Sequence, residues 1–259
     1  MVRGLEKFRE YFKNYNGSYV IIGGTACDIA INDAGLNPRA TKDIDIILLV
    51  EAISSAFVQR FWKFVKDGGY ETKEKGDEEH NYYRFAKPED TEFPQMMEIF
   101  SRNPDLLDLK EGTHLTPVPV SDDVTSLSAI LLDRDYYTYT IDHSSSNNSL
   151  RIANTEALIC LKAKAFLDMT KRKAEGVEIN SKNIRKHKFD IFRLAALLRT
   201  EENFTLPENL KTDMQSFIDQ TGKELPDKAI FKEMGLAGID VKQLFDQLIK
   251  NFNLSANNV

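Results

Sequence analysis

The sequence predicts an α+β fold, with a strand-bearing N-terminal part followed by an all-helical C-terminal part. Three observations predict it. The 259 residues are 42% hydrophobic and 29% charged, with 13 glycines and 8 prolines, which suits a chain built round a core and excludes collagen, a disordered tail or a membrane protein. Short β-branched and aromatic runs alternate with segments of helical period as far as about residue 150. From Asn154 onward nearly every segment has helical period. The length of 259 lies close to the ~250–300 residues at which one core tends to split. The change of texture places a boundary between a first domain, 1–150, and a second, 151–259.

Residues 5–15 read as a helix with Leu5, Phe8 and Phe12 on one face. Residues 18–22 are a β-branched strand ending in Gly23-Gly24, and 25–33 a helix with Ala26, Ile29 and Ala30 on one side. A strongly apolar strand is expected over 43–50 and a helix over 53–66, where Phe57, Phe61 and Phe64 are spaced by four and three. Further strands are expected at 82–85, 95–100 and, from its alternation, 136–141; the Ser/Asn run 144–149 reads as a loop. Helices follow over 155–169, 184–199, 208–220 and 241–252, the first capped by Asn154.

The longest apolar runs, such as 44–50, are strand-sized and far short of the ~20 residues of a membrane helix, so no membrane partner is expected. The N-terminus turns amphipathic at once and has no signal-peptide core. Cys27 and Cys160 lie in helical patterns without CxxC spacing, which argues against a disulfide framework or zinc site and for a reducing cytoplasm. Within a chain of net charge −6, the stretch from Arg151 to Thr200 carries twelve Lys/Arg against five Asp/Glu. That excess suits either a local anion-binding surface or simply solvated helix faces.

The chemistry concentrates between Tyr19 and Val50. A strand runs into Gly23-Gly24-Thr25 at a helix start, where free backbone N–H groups and the helix dipole favour an anion. The glycines let a phosphate come close, and the Thr25 hydroxyl could cap the helix or bind that phosphate. Asp43 and Asp45 stand at i and i+2 of the next strand, so both carboxylates share a face. Two such charges repel unless a cation sits between them, and aspartate is a poor strand former. The pair therefore reads as a Mg²⁺ site, against the plainer reading of two solvated strand-start acids. Glu98, one acid inside the apolar run 96–100, fits as a third carboxylate from a neighbouring strand. A buried acid there calls for a metal or an arginine. With a different strand register, the acids of 91–93 and 105–108 compete with it.

These residues carry a resemblance. The order GG-T, helix, D-I-D and a later strand acid resembles the DNA polymerase beta-type nucleotidyltransferase superfamily. IIGGTACDIAIN and ATKDIDIIL are similar to the GGTAL and SEDIDL region of the abortive-infection AbiEii-like nucleotidyltransferase toxins. Leu161-Lys162-Ala163-Lys164-Ala165-Phe166 resembles that family's LKLxAL helix, and Lys186-His187-Lys188-Phe189-Asp190-Ile191 its KDLYDL helix. The similarity covers about 19–198; the last 60 residues show none. It implies a nucleotidyltransferase-type mixed sheet with flanking helices, then a helical domain that binds substrate or nucleic acid. By the same carry-over Asp43, Asp45 and Glu98 hold Mg²⁺ or Mn²⁺, and Gly23, Gly24 and Thr25 bind the triphosphate. Lys162 and Asp190 are then the site residues of the second domain, with Lys186 beside them on the nucleotide. Two positions depart from the pattern: His187 stands where the first KD aspartate is expected, and Lys42 replaces the acid of SEDID.

The helical part has its own signal. Lys162 lies in an apolar stripe with Leu158, Ala165 and Met169, so it either snorkels or points its ammonium into a cleft. Asp190 aligns with Leu194 and Leu197 and follows Lys186 by four, which also suits a plain helix ion pair. His80, His114 and His143 lack metal-ligand spacing, and the serines 144–146 lack the strand–turn–helix setting of a nucleophile. Trp62 reads as core, and Tyr136, Tyr137 and Tyr139 as strand packing rather than base stacking. The expected reaction is two-metal transfer of an NMP from an NTP to a hydroxyl. Arg172 and Arg185 join Lys162 and Lys186 in gripping phosphates or a nucleic-acid acceptor. The toxin resemblance implies an RNA acceptor such as tRNA and a separately encoded antitoxin protein. The alternatives are a small-molecule, antibiotic-type nucleotidyltransferase and a catalytically silent nucleotide-binding protein of the same fold.

Overall fold

The computed structural model describes residues 2–39, 41–71, 82–101, 130–131, 133–236 and 238–255. It is mixed α/β, with a six-stranded mixed sheet and, among the described residues, eight α-helices. The chain divides into two compact units: Met1–Asp28, Ala40–Val120 and Ser144–Ala153 form the first, and Ile29–Arg39, Ser121–His143 and Asn154–Val259 the second. The expected boundary at 150/151 falls inside strand Leu150–Ala153.

In the first unit, α1 (Leu5–Phe12) leads to β1 (Tyr19–Ile22), which runs straight into α2 (Gly23–Asp33). Then come β2 (Asp43–Leu48), a 3₁₀ turn at Val50–Ala52, α3 (Ser55–Gly68), β3 (Tyr82–Ala86) and β4 (Met96–Phe100). The strand order is β3-β4-β2-β1-β6-β5, the last two being β5 (Ser144–Asn147) and β6 (Leu150–Ala153). β2 runs parallel to β4 and β1 parallel to β6, while the other neighbours are antiparallel. Ser54 accepts a hydrogen bond from Phe57 N and so fixes the start of α3. The phenylalanine spacing of α3 then presents Phe57, Phe61 and Phe64 to Phe12 of α1, and Phe64 also to Phe8, while Phe8 and Phe12 in turn pack on Tyr19 of β1. These rings are all buried and are the core that holds β1 and β2 in place.

The second unit holds α4 (Arg134–Asp142), α5 (Thr155–Ala174), α6 (Ser181–Ala195), α7 (Glu208–Thr221), a 3₁₀ turn at Lys228–Phe231, and α8 (Val241–Asn251). α5 packs on α6 and α7, and α6 on α8. The apolar stripe read from the sequence is the buried face of α5, where Leu158, Ala165 and Met169 all lie inside. Cys27 and Cys160 are buried thiols. No helix among the described residues is long and apolar enough to cross a membrane.

Two local expectations are corrected. Residues 136–141 are helical, not a strand. The Asp133 carboxylate accepts from Asp135 N at 2.8 Å and Tyr136 N at 3.3 Å, which caps and starts α4. Tyr136, Tyr139 and Thr140 then fall on its buried face, and the Tyr136 hydroxyl donates to Asp213 at 2.9 Å. Tertiary packing overrides the strand preference of aromatic and β-branched residues here. Residues 144–149 are not a loop but half of the β5–β6 hairpin. Asn148 and Ser149 adopt φ of 46° and 64°, the pair of left-handed residues that a two-residue hairpin turn of right-handed twist requires.

Candidate active site

Asp43 and Asp45 share one half-exposed face of β2, while Ile44 and Ile46 between and beyond them are buried. The parallel register sets Asp45 opposite Glu98 of β4, and the antiparallel register on the other side sets it opposite Ile22 at the end of β1. Gly23 begins α2 at that point with φ +66°, and a Cβ there would lie 1.8 Å from Asp45 Oδ2 and 2.7 Å from its Cγ. Only glycine allows the helix start and this carboxylate to occupy adjoining space. Gly24 is equally close-fitting, since a Cβ would come within 2.8 Å of the Thr41 side chain. Thr25, expected to cap the helix or hold a phosphate, is fully buried and donates its hydroxyl to the Asp43 carbonyl, tying α2 to β2. The group left to meet an anion at this helix start is the backbone N–H. Gly23→Ala is therefore expected to cost at least ~1–2 kcal/mol for the left-handed backbone alone and to drive the Asp45 carboxylate from its place. Thermal denaturation and the metal response of the variant measure the two parts.

Glu98 is 5% exposed. Arg84, its register partner on β3, grips it from Nε at 2.7 Å and also from its terminal nitrogen, in an ion pair buried on both sides. The pair supplies the arginine that a buried acid calls for. Even so, burial first and the neighbouring Asp45 second push the Glu98 carboxyl up to about 8, against the pull of Arg84. Asp45 and Glu98 are thus a like-charge couple in which Asp45 opposes the ionisation of Glu98. Among the described residues no three His, Cys, Asp or Glu side chains are grouped closely enough to hold a metal ion. What stands together is the Asp45–Glu98 couple, with Asp43 two residues along the same face. Of the competing acids, Glu92 is a surface residue paired with Lys7 at 2.9 Å, and 105–108 lie outside the described residues.

The second unit gathers a separate charged cluster. Lys162 Nζ of α5 meets Asp190 Oδ2 of α6 at 2.9 Å, Arg39 reaches the same oxygen at 3.4 Å, and Arg193 holds Oδ1 at 3.2 Å. Lys162, Asp190 and Arg193 are all buried. Burial alone would raise the Asp190 carboxyl, but Lys162, Arg39 and Arg193 together hold it well below the usual carboxylate range. Lys186 is half-buried and has no ion pair with Asp190 among the described residues; the plain helix pair suggested by their spacing is replaced by the three cations. Arg185 lies exposed and Arg172 half-buried on their helices. His187 sits one turn before Asp190 with both ring nitrogens shut off from solvent and without a hydrogen-bond partner. Burial, then Lys162, press its imidazolium down to about 3, with Lys186 and Arg39 adding to this and Asp190 opposing it.

That shift has a fixed sign. A histidine neutral in the folded chain but protonated at the ordinary 6.5 in the unfolded chain stabilises fully above 6.5. The contribution is lost as pH falls from 6.5 toward 3. His187→Gln is expected to remove this part of the acid slope, so wild type and variant should converge in stability between pH 7 and pH 5. Denaturant melts at the two pH values test it.

Arg84, Arg39 and Arg193 were not among the site residues expected from the sequence. Arg84 left a signal as the one cation in the aromatic strand run YYRFA, and Arg193 another as the i+3 neighbour of Asp190 on α6. Of the histidines without ligand spacing, His143 stacks on Tyr139 and bonds Glu156 at 2.9 Å, while 80 and 114 lie outside the described residues. Trp62 is half-buried, edge-on to Phe61 and Phe85. No protein-family model matches the chain, and no curated protein is detectably similar to it.

Proposed function

We propose that the chain is a metal-dependent nucleotidyltransferase of the DNA polymerase beta type. It would move an NMP from an NTP to a hydroxyl acceptor, with RNA such as tRNA as that acceptor, in the manner of the AbiEii-like toxins. The observation that carries the reading is the carboxylate couple Asp45–Glu98 on adjacent parallel strands, with Asp43 on the same face and a glycine-started helix against it. In this reading the six-stranded sheet with its helices is the nucleotidyltransferase core, and the helices over 155–251 form the substrate- or nucleic-acid-binding domain. An antitoxin protein is the partner this reading expects, and the cytoplasm its compartment.

The donor set fits a hard divalent cation. It is carboxylate oxygen throughout, and the raised carboxyl of Glu98 beside Asp45 marks a like-charge couple that a cation relieves. Asp45 and Glu98 would provide the first carboxylates for Mg²⁺ or Mn²⁺, and Asp43, which does not group with them as the side chains stand, would have to turn toward them to complete the set; the cation would supply charge neutralisation on the triphosphate and on the attacking oxygen. The chain's own groups do the rest. The backbone N–H groups at the start of α2 orient phosphate oxygens, and Gly23 and Gly24 leave the approach open. Arg84 keeps the Glu98 carboxylate pointed and fixed. The acceptor oxygen bonds to the α-phosphorus as the bond to pyrophosphate breaks. The hydroxyl proton passes to the Asp45–Glu98 couple, and pyrophosphate leaves. In the second unit Lys162, Asp190 and Lys186 belong to a cationic patch that binds phosphate.

The buried Arg84–Glu98 ion pair also favours a second reading, a catalytically silent nucleotide binder in which a guanidinium permanently takes the cation's part. Thermal-shift titration separates the two. The enzyme reading expects NTP to stabilise the chain only with Mg²⁺, and Asp45→Asn to abolish the effect. Stabilisation by NTP that ignores both metal and substitution supports the binder.

A further inference from the structure

We infer that Arg84 determines which divalent cation the candidate site accepts: it restricts Glu98 to a single ligating oxygen and so favours Mg²⁺ over Ca²⁺. The inference rests on the nucleotidyltransferase reading and deepens it by naming a residue that sets metal specificity.

Three neighbouring strands bring the groups into one row. Arg84 of β3 is the register partner of Glu98 of β4, and Glu98 is that of Asp45 of β2. Residues opposed in this way project to the same face of a sheet, so Glu98 has an arginine on one side and an acid on the other. The guanidinium does not take the carboxylate in the common fork arrangement, with one nitrogen on each oxygen. Its Nε, at 2.7 Å, and its Nη2 both donate to Oε1. Oε2 takes no part in this ion pair. The two side chains are only 9% and 6% exposed, so water competes little for the bonds.

A carboxylate can offer a cation both oxygens or one. With Oε1 engaged by two N–H groups, Glu98 has Oε2 to offer, and ligation through both oxygens would break a buried, charge-assisted pair. The cost of that break falls unequally on the two ions. Ca²⁺ gathers about six to eight oxygens in a flexible shell and often takes a carboxylate by both of them. Mg²⁺ is smaller, demands a near-octahedral shell and is served by single carboxylate oxygens and water. An acid tied at one oxygen therefore suits Mg²⁺, and Asp45 stands opposite it to supply a second carboxylate. Arg84 is a positioning residue here, since it acts on the cation only through Glu98. An arginine that merely stapled β3 to β4 would affect both ions alike.

The test is calorimetric titration of the full chain with MgCl₂ and with CaCl₂, for wild type, Arg84→Met and Arg84→Lys. Circular dichroism checks that each variant is folded. Methionine keeps much of the stem and removes every donor, so both Glu98 oxygens become available. The affinity for Ca²⁺ relative to Mg²⁺ should rise about tenfold in Arg84→Met. It should return toward the wild-type ratio in Arg84→Lys, whose ammonium can still hold Oε1. An unchanged or lower ratio in a folded Arg84→Met overturns the inference and leaves the nucleotidyltransferase reading standing. Infrared carboxylate spectra of wild type with and without Mg²⁺, with the Glu98 bands assigned from Glu98→Gln, decide the matter where Arg84→Met does not fold. The expected pattern for Glu98 is that of ligation by one oxygen, and a pattern of ligation by both overturns the inference. Wild type that binds neither ion, alone or with a nucleoside triphosphate, overturns the inference and the nucleotidyltransferase reading together.

Discussion

Asp45→Asn should lower metal-dependent nucleotidyl transfer by about 10³-fold or more, and at the same time make the metal-free chain more stable than wild type. The two effects share one cause. Asp45 stands opposite Glu98 across a parallel strand pair, and its charge is the second largest influence pushing the Glu98 carboxyl up to about 8. Asparagine keeps the shape and some of the hydrogen bonding but removes the repulsion, so Glu98 ionises more readily against Arg84. The same change removes an oxygen donor from the proposed cation site. A 10³-fold loss corresponds to ~4 kcal/mol of transition-state stabilisation. Calorimetric melts without metal, set beside rates with Mg²⁺, read both numbers. A variant that loses stability together with activity would make Asp45 a structural residue and nothing more.

Asp190→Asn is the second large effect, and it falls on stability. Three cations converge on this carboxylate from α5, α6 and the segment after α2. Removing one partner of a buried ion pair costs ~3–5 kcal/mol, because the charge left behind keeps its desolvation cost without its compensation. For a chain of this size that corresponds to a fall in Tm of about 10 °C. The sign with pH is also fixed. The folded carboxyl is held below its ordinary 3.8, so its contribution is fully present above that value. It is lost as pH falls through the lower, folded-state value, and wild type and variant should converge there. Chemical denaturation at pH 7 and below pH 3 follows the convergence. A variant as stable as wild type at pH 7 would show that the cluster is solvated and not a buried network.

What the sequence made legible is what local periodicity encodes. The period of two along a strand put Asp43 and Asp45 on one face, and the spacing of Phe57, Phe61 and Phe64 gave the buried face of α3. A lone acid in the apolar run 96–100 marked Glu98 and the need for a metal or an arginine beside it. The arginine itself was not legible. Arg84 is fourteen residues away and meets Glu98 only through the β3–β4 register, which a sequence without an evident hairpin turn does not reveal. Arg39 likewise reaches Asp190 through tertiary packing, whereas Arg193 is its i+3 neighbour on α6; the competing spacing of four to Lys186 pointed to a pair that is not made. The tyrosine-rich run at α4 misled because strand formers dominate it, and the decisive signal was one capping residue, Asp133. The serine run at β5 misled because its pairing depends on left-handed Asn148 and Ser149, neither of them glycine.

The central claim is that the acids on β2 and β4 transfer a nucleotide. The most direct measurement incubates the full chain with Mg²⁺, each α-³²P-labelled NTP in turn and total cellular RNA, beside the Asp43→Asn/Asp45→Asn double variant. The account predicts label in a discrete small-RNA band, from one or a few of the NTPs, and none with the double variant. Label equally present with the double variant, or absent from RNA, protein and small molecules alike, would contradict it.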